Sequence, residues 1–201
     1  MWYKRKSLEE IIQITKNYPV TLVTGARQVG KTELVKIFER EYGYTYISLD
    51  NDELLKESKK FPREFLKKYK PPLIIDEVQK NKKLFNEIEY LVERKKSESG
   101  SKSAKGMYIL TGSQKYRLMN KVTESMACRV GIVEIPPLSQ AEIRNWDTDV
   151  FTIDLDKLFK RANDRKLSDS DLCKSIITGF YPEQWEHGIP IKDFYQHYIL
   201  G

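Results

Sequence analysis

Residues 25–32, Gly-Ala-Arg-Gln-Val-Gly-Lys-Thr, carry the densest chemistry in the sequence. They fit G-x-x-x-x-G-K-[ST], a spacing suited to polyphosphate. Gly25 and Gly30 let the backbone turn tightly and approach the phosphates with no Cβ in the way. Successive N–H groups then line one concavity at the start of a helix, where the dipole favours negative charge. Lys31 can reach the β- and γ-phosphates, and the Thr32 hydroxyl can ligate Mg²⁺. The expected binding set is therefore Gly25, Ala26, Arg27, Gln28, Val29, Gly30, Lys31, Thr32 and Glu33, around the phosphates of a nucleotide and its Mg²⁺. The bland alternative is a glycine turn that merely caps a helix.

Asp76-Glu77 follows the apolar run Leu73-Ile74-Ile75. This is the pattern of a Walker B site, in which Asp76 would hold Mg²⁺ through water and Glu77 would orient or deprotonate an attacking water. A carboxylate directly after the metal-binding aspartate points to hydrolysis rather than transfer to a small acceptor. In Thr111-Gly112-Ser113, Ser113 reads either as a sensor of the γ-phosphate or as the N-cap of a helix beginning near Lys115. Arg129 is a candidate transition-state cation, in cis or from a neighbouring subunit. The guanine-specifying Asn-Lys-x-Asp is absent, since Asn81-Lys82-Lys83 runs into Leu84 and Asn120-Lys121-Val122 into Thr123. His187 and His197 lack paired ligands, and the acidic pairs Asp154/Asp156 and Asp169/Asp171 read as helix-start charges.

The elements needed to position these groups can be read from hydrophobic periodicity. Residues 19–24 form a buried strand before the loop, and residues 33–40 a helix after it. Further strands are expected at 44–49, 72–75, 107–110 and 130–135. Ser7-Leu8-Glu9-Glu10 reads as a capping box for an N-terminal helix packed beside the first strand. Pro62 marks a fresh helix start, and Leu84, Phe85, Ile88, Leu91 and Val92 share one face of another helix. Residues 94–106 turn to Lys, Ser, Glu and Gly and read as an exposed loop. Five apolar strands alternating with helices imply an α/β fold with a parallel sheet covered on both faces. Ligands of such sheets bind beyond the carboxyl ends of the strands, where Gly25, Asp76 and Ser113 all stand. From Ser139 the pattern changes to short helices. The expected division is thus a P-loop α/β core over 1–138 and a small helical lid over 139–201.

Composition sets the outer limits. The 201 residues allow one α/β domain with a core plus a small appendage. No run of eighteen apolar residues occurs, so no membrane partner is expected. Cys128 and Cys173 are far apart without metal-type spacing, which reads as two core thiols in a reducing cytoplasm. A net charge of +6 arises from 35 basic and 29 acidic residues, a balance that permits nucleic-acid binding without arguing for it.

Residues 24–32, Leu49-Asp50, residues 75–79 (Ile-Asp-Glu-Val-Gln), residues 110–113, residues 124–130, residues 137–139 and residues 179–183 together resemble the prokaryotic AAA-like "ATP-binding protein" family. Its members join this P-loop ATPase domain to a C-terminal domain of unknown function. The resemblance implies a five-stranded sheet in the order 5-1-4-3-2, ATP and Mg²⁺ as cofactors, and roles for the loop, Thr32, Asp76, Glu77 and Ser113. Ala26 stands where the family usually has proline, Glu33 where it has threonine, and Cys128 where it has glycine. It also implies that the chain is a truncated form ending before the second domain. The expected function is Mg²⁺-dependent ATP hydrolysis, with a possible homo-oligomer and an unknown macromolecular partner. Two alternatives stand beside it: a slow-turnover nucleotide switch serving as a docking module, and a DNA-associated ATPase similar to helicase loaders.

Overall fold

Five short apolar runs pair side by side in one parallel sheet, β1 (Val20–Thr24), β2 (Thr45–Ser48), β3 (Leu73–Asp76), β4 (Tyr108–Gly112) and β5 (Val130–Glu134). The order across the sheet is β2-β3-β4-β1-β5, the same as the expected 5-1-4-3-2 read from the other edge. The computed structural model describes residues 3–113, 128–146 and 152–200. Each parallel step needs a crossover, which helices supply: α1 (Lys6–Asn17), α2 (Lys31–Tyr42), α3 (Asp52–Lys60), α4 (Pro62–Lys68) and α5 (Lys83–Ser99). Starts are set by local chemistry. Asn51 caps α3 by accepting from the Glu53 and Leu54 amides, and Pro62 opens α4 with its fixed φ.

Alternation along the strands divides the core between the two faces of the sheet. Val20, Leu22, Leu73, Ile75, Tyr108 and Leu110 join Phe65, Leu66 and the α5 residues Leu84, Phe85, Ile88 and Val92 in one buried cluster. Ile74, Asp76, Ile109 and Thr111 therefore point to the opposite face. The three inner strands are buried throughout, whereas β5 alternates and exposes Ile132 and Glu134, as befits an edge. Helix α1 lies on β1 and β5, where Thr15 and Thr21 share a hydroxyl hydrogen bond of 2.9 Å.

Three sequence expectations are corrected. Helix α1 begins at Lys6, so Ser7 lies inside the helix and does not cap it. Residues 94–106 are no open loop. Helix α5 runs on to Ser99, its polar face tied by Glu93–Lys96 and Arg94–Glu98 pairs, and the 3-10 turn Ser101–Ala104 buries Ala104 completely. The polar composition there is the solvent face of a helix. Cys128 and Cys173 are free but exposed, so neither is a core thiol. Cys128 occupies a turn with φ 64°, which accounts for glycine at this place in the similar family. The helix expected near Lys115 and the segment 124–127 lie outside the described residues.

The chain divides into two compact units, Lys6–Pro136 and the combination of Met1–Arg5 with Pro137–Gly201. In the smaller unit, α6 (Gln140–Arg144) starts with a full capping box between Ser139 and Glu142. Glu142 also takes the buried Arg5 guanidinium at 3.0 Å. Helices α7 (Leu155–Asp164), α8 (Asp169–Thr178), α9 (Pro182–His187) and α10 (Ile191–Leu200) follow. Tyr181, Phe194, Tyr195 and Tyr198 make an aromatic cluster beneath Gly179, whose carbonyl accepts from Trp185 Nε1 at 2.8 Å. Leu155, Leu158 and Phe159 of α7 and Leu172, Ile176 and Ile177 of α8 are exposed. Among the described residues, no helix is long and apolar enough to cross a membrane.

Gly131 tests the seat of α1. A Cβ there would run into Ile14 Cγ2 and come within 2.9 Å of Tyr18 Cδ2. Gly131→Ala should cost about 1–3 kcal/mol, as overpacking does; a denaturation midpoint equal to the parent's would show that α1 shifts freely on the sheet.

Candidate nucleotide-binding site

Strand β1 hands directly into the loop. The Ile135 amide donates to Thr24 O at 2.7 Å, so β5 accompanies the chain to its turning point. Gly25 follows with φ 149°, and a Cβ at this position would strike the Ile135 carbonyl oxygen. Glycine is required here by both backbone and space. Ala26, Arg27 and Gln28 are exposed, Gln28 in the left-handed region at φ 59°, while Val29 is fully buried and anchors the loop. Gly30, at φ 91°, stands at the N-cap of α2 and has no side chain to cap its first turn. The amides there are thereby left to face an anion, supported by the helix dipole.

Lys31 is only 6% exposed. Its Nζ donates to Gly25 O at 3.1 Å and to Ala26 O at 2.6 Å. Burial lowers its pKa from the ordinary lysine value, opposed by the negative charges of Glu77 and Asp76 and assisted by Arg27. Glu33, in the first turn of α2, is exposed.

Asp76 is the last residue of β3 and is 4% exposed. Three hydroxyls converge on it. Thr32 Oγ1 donates to Oδ2 at 3.1 Å, the Tyr46 phenol donates to the same oxygen at 2.7 Å, and Thr111 Oγ1 donates to Oδ1. Thr111 also accepts from the Glu77 amide at 3.2 Å, tying the two carboxylate residues to β4. Glu77 takes a left-handed conformation, φ 56° and ψ 41°, uncommon for a residue with a side chain and often found at functional sites. Gln79 Nε2 donates to its carboxylate.

The expected site residues divide by position. Lys31, Thr32, Asp76 and Glu77 come together at the carboxyl ends of β1 and β3. Ser113 follows Gly112, which is in register with Thr24, and so stands at the same end beside the loop. The helix it would cap lies outside the described residues. Arg129 is not brought to the site. Its carbonyl accepts from the Val20 amide, which places it at the amino ends of the strands, about 16 Å of strand length from the loop. Its guanidinium pairs with Glu93 at 2.6 Å and Glu89 at 3.4 Å on α5.

Two participants were not recognised from the sequence, Tyr46 and the hydroxyl of Thr111. Strand alternation held the signal for both. Tyr46 and Ser48 face the same way as Ile74 and Asp76 on the neighbouring strand, and Thr111 continues that face on β4. Burial, then donation to Asp76, raises the Tyr46 phenol well above its ordinary pKa, so it remains a donor across the neutral range.

The fold is similar to that of a Walker-type ATPase of Pyrococcus abyssi, with a TM-score of 0.57 at 17% identity over 99% of this chain and 72% of that one. A DNA replication initiation factor aligns with a TM-score of 0.49 at 15% identity over 94% of this chain and 59% of its own. AMPPCP-bound DnaA from Aquifex aeolicus gives 0.48 at 16% identity over 91% and 57%. The chain thus spans less than two thirds of the latter two proteins. No curated protein matches it. The profile of the AAA domain family matches residues 17–144, a span that contains all five strands, the phosphate loop and Asp76-Glu77. The chain belongs to the AAA domain family, as a P-loop ATPase domain.

Proposed function

We propose that this domain binds ATP with Mg²⁺ and hydrolyses it to ADP and phosphate. The observation that carries the reading is the hydrogen bond between Thr32 and Asp76, which joins the end of the phosphate loop to the acidic end of β3. The residues present fit both ligands. A glycine turn packed so closely on Ile135 that no Cβ fits, a helix start without a capping side chain, and a buried lysine suit a polyphosphate. A hydroxyl beside a buried carboxylate is an oxygen donor set that suits Mg²⁺.

Thr32 and Asp76 would hold the metal ion, which supplies charge neutralisation at the β- and γ-phosphates. Lys31 exchanges the loop carbonyls for phosphate oxygens and offsets their charge. Glu77 accepts a proton from water as the water oxygen bonds to the γ-phosphorus and the bond to the bridging oxygen of ADP breaks. Gln79, bonded to the same carboxylate, limits its orientation. Thr111 and Tyr46 act by holding Asp76. Ser113, directly after β4, would contact the γ-phosphate. Arg129 is left out of this set, because two acidic partners on α5 account for it.

Lys31→Ala should weaken ATP binding by about 1.5–3 kcal/mol through loss of a charge-assisted contact. Unchanged affinity in calorimetry would dismiss the phosphate loop as the nucleotide site. Glu77→Gln should retain ATP and Mg²⁺ while steady-state hydrolysis falls about 10²–10⁴-fold; turnover at the parent rate would place the base elsewhere, with Asp50 the next carboxylate to test. Tyr46→Phe removes a donor to a buried carboxylate and should cost about 1.5 kcal/mol of stability without nucleotide, the low end for such bonds because the phenol is half-buried. An unaltered urea midpoint would mean that water replaces the phenol at no cost.

A further inference from the structure

At the amino ends of β3 and β4, away from the phosphate loop, the larger unit holds a groove of about 890 Å³. Its floor is apolar, with Phe38, Tyr42, Tyr44, Leu66, Pro72 and Met107. Tyr42 stacks on Phe38 at 5.0 Å between ring centroids and still exposes nearly half its surface. Around the floor stand cations from separate elements: Lys16 at the end of α1, Lys67 and Lys70 around the end of α4, Arg94 on α5, and Lys102 and Lys105 beyond it. Among the described residues lining the groove, Glu98 is the one acid, and it already pairs with Arg94 at 3.4 Å. A wall with this excess of positive charge suits an anionic occupant.

Tyr108 supplies a second, independent observation. It lines the groove from the first position of β4, its side chain is completely buried, and among the described residues its hydroxyl has no hydrogen-bond partner. The neighbouring Tyr44 phenol is satisfied by Gly106 O at 2.7 Å. Buried hydroxyls are nearly always paired, and an orphan such as this one costs stability. Burial raises the Tyr108 phenol above its ordinary pKa, so at neutral pH it offers a proton rather than a charge.

We infer that this groove is a second binding site, separate from the phosphate loop, for a small aromatic anion. The ring system rests on Tyr42 and Pro72, and a phosphate or carboxylate head lies among the lysines. A volume near 890 Å³ with an apolar floor and a few placed polar groups is typical of small-molecule sites.

The dye 8-anilinonaphthalene-1-sulfonate, an aromatic body with an anionic head, probes the full chain by fluorescence titration. It should bind at one site, and its neutral analogue N-phenyl-1-naphthylamine at least tenfold more weakly. Lys70→Glu combined with Lys105→Glu, both exposed positions, should weaken the dye tenfold or more. Tyr108→Phe should raise the thermal midpoint, since an unpaired buried hydroxyl is removed, and leave dye affinity within about twofold of the parent's. Lys31→Ala should leave dye affinity unchanged, so a failure of the ATP reading would not be mistaken for a failure here. Competition by 1-naphthyl phosphate or by 1-naphthoate identifies the head group. Equal binding of the neutral analogue, an unaffected double charge reversal, or competition by neither naphthyl compound would overturn the inference. So would a single-stranded oligonucleotide that displaces the dye far more tightly than 1-naphthyl phosphate, by making the groove a nucleic-acid site.

Discussion

The Asp76 carboxylate is the constraint on which the nucleotide end of the sheet depends. It is almost fully buried at the end of the inner strand β3. A buried charge is costly unless it is bonded and matched by an opposite charge. Here the bonds come from three directions at once: Thr32 from α2, Tyr46 from β2 and Thr111 from β4. A shift of any of these elements by one residue would turn a hydroxyl away and leave the carboxylate short of a partner. One acidic side chain thereby fixes the register of β2 and β4 on β3 and the seat of the helix that follows the loop.

The loop answers the same constraint from the cationic side. Lys31 is buried where desolvation works against its charge, and Glu77 and Asp76 work in its favour. Its ammonium is held by the carbonyls of Gly25 and Ala26, neutral acceptors that a phosphate oxygen can replace with a stronger, charged one. The strained loop geometry at Gln28 and the left-handed Glu77 sit on either side of this lysine in the chain. Neither turn is relaxed locally; both are maintained by what surrounds them, Val29 in the core and the Thr111 hydroxyl under the Glu77 amide.

Much of this was legible in the sequence, for a physical reason. A phosphate loop is local: strand, glycine turn, lysine and helix follow one another, so residues 20–42 announce themselves without tertiary information. The acidic end of β3 is similarly local. The sheet order came through resemblance to a family rather than from periodicity. What could not be read depends on pairing across the sheet. Tyr46 becomes a partner of Asp76 only because β2 and β3 align Ser48 with Asp76. The ion pairs of Arg129 likewise exist only because α5 brings Glu89 and Glu93 to it. The continuation of α5 to Ser99 was hidden because a solvent-facing helix and a polar loop share a composition, and the exposed cysteines were misread because their type favours burial on average.

Charge shows the same limit at larger scale. A formal charge of +6 from 35 basic and 29 acidic residues looks like an ordinary solvated surface. Folding sorts it. Lys16, Lys67, Lys70, Lys102 and Lys105 are scattered over ninety positions of sequence, yet they meet around one groove because α1 and α4 end, and β4 begins, at the same pole of the sheet. Asp76 and Glu77 lie at the other pole, where β3 ends. Strand β4 spans both: its first residue, Tyr108, lines the cationic groove, and its fourth, Thr111, holds the acidic pair. Parallel strands make this separation possible, since they gather all starts at one end and all finishes at the other. Tyr108 and Thr111 are thus kept about 10 Å apart along one strand, so the two chemistries share a backbone without sharing a site.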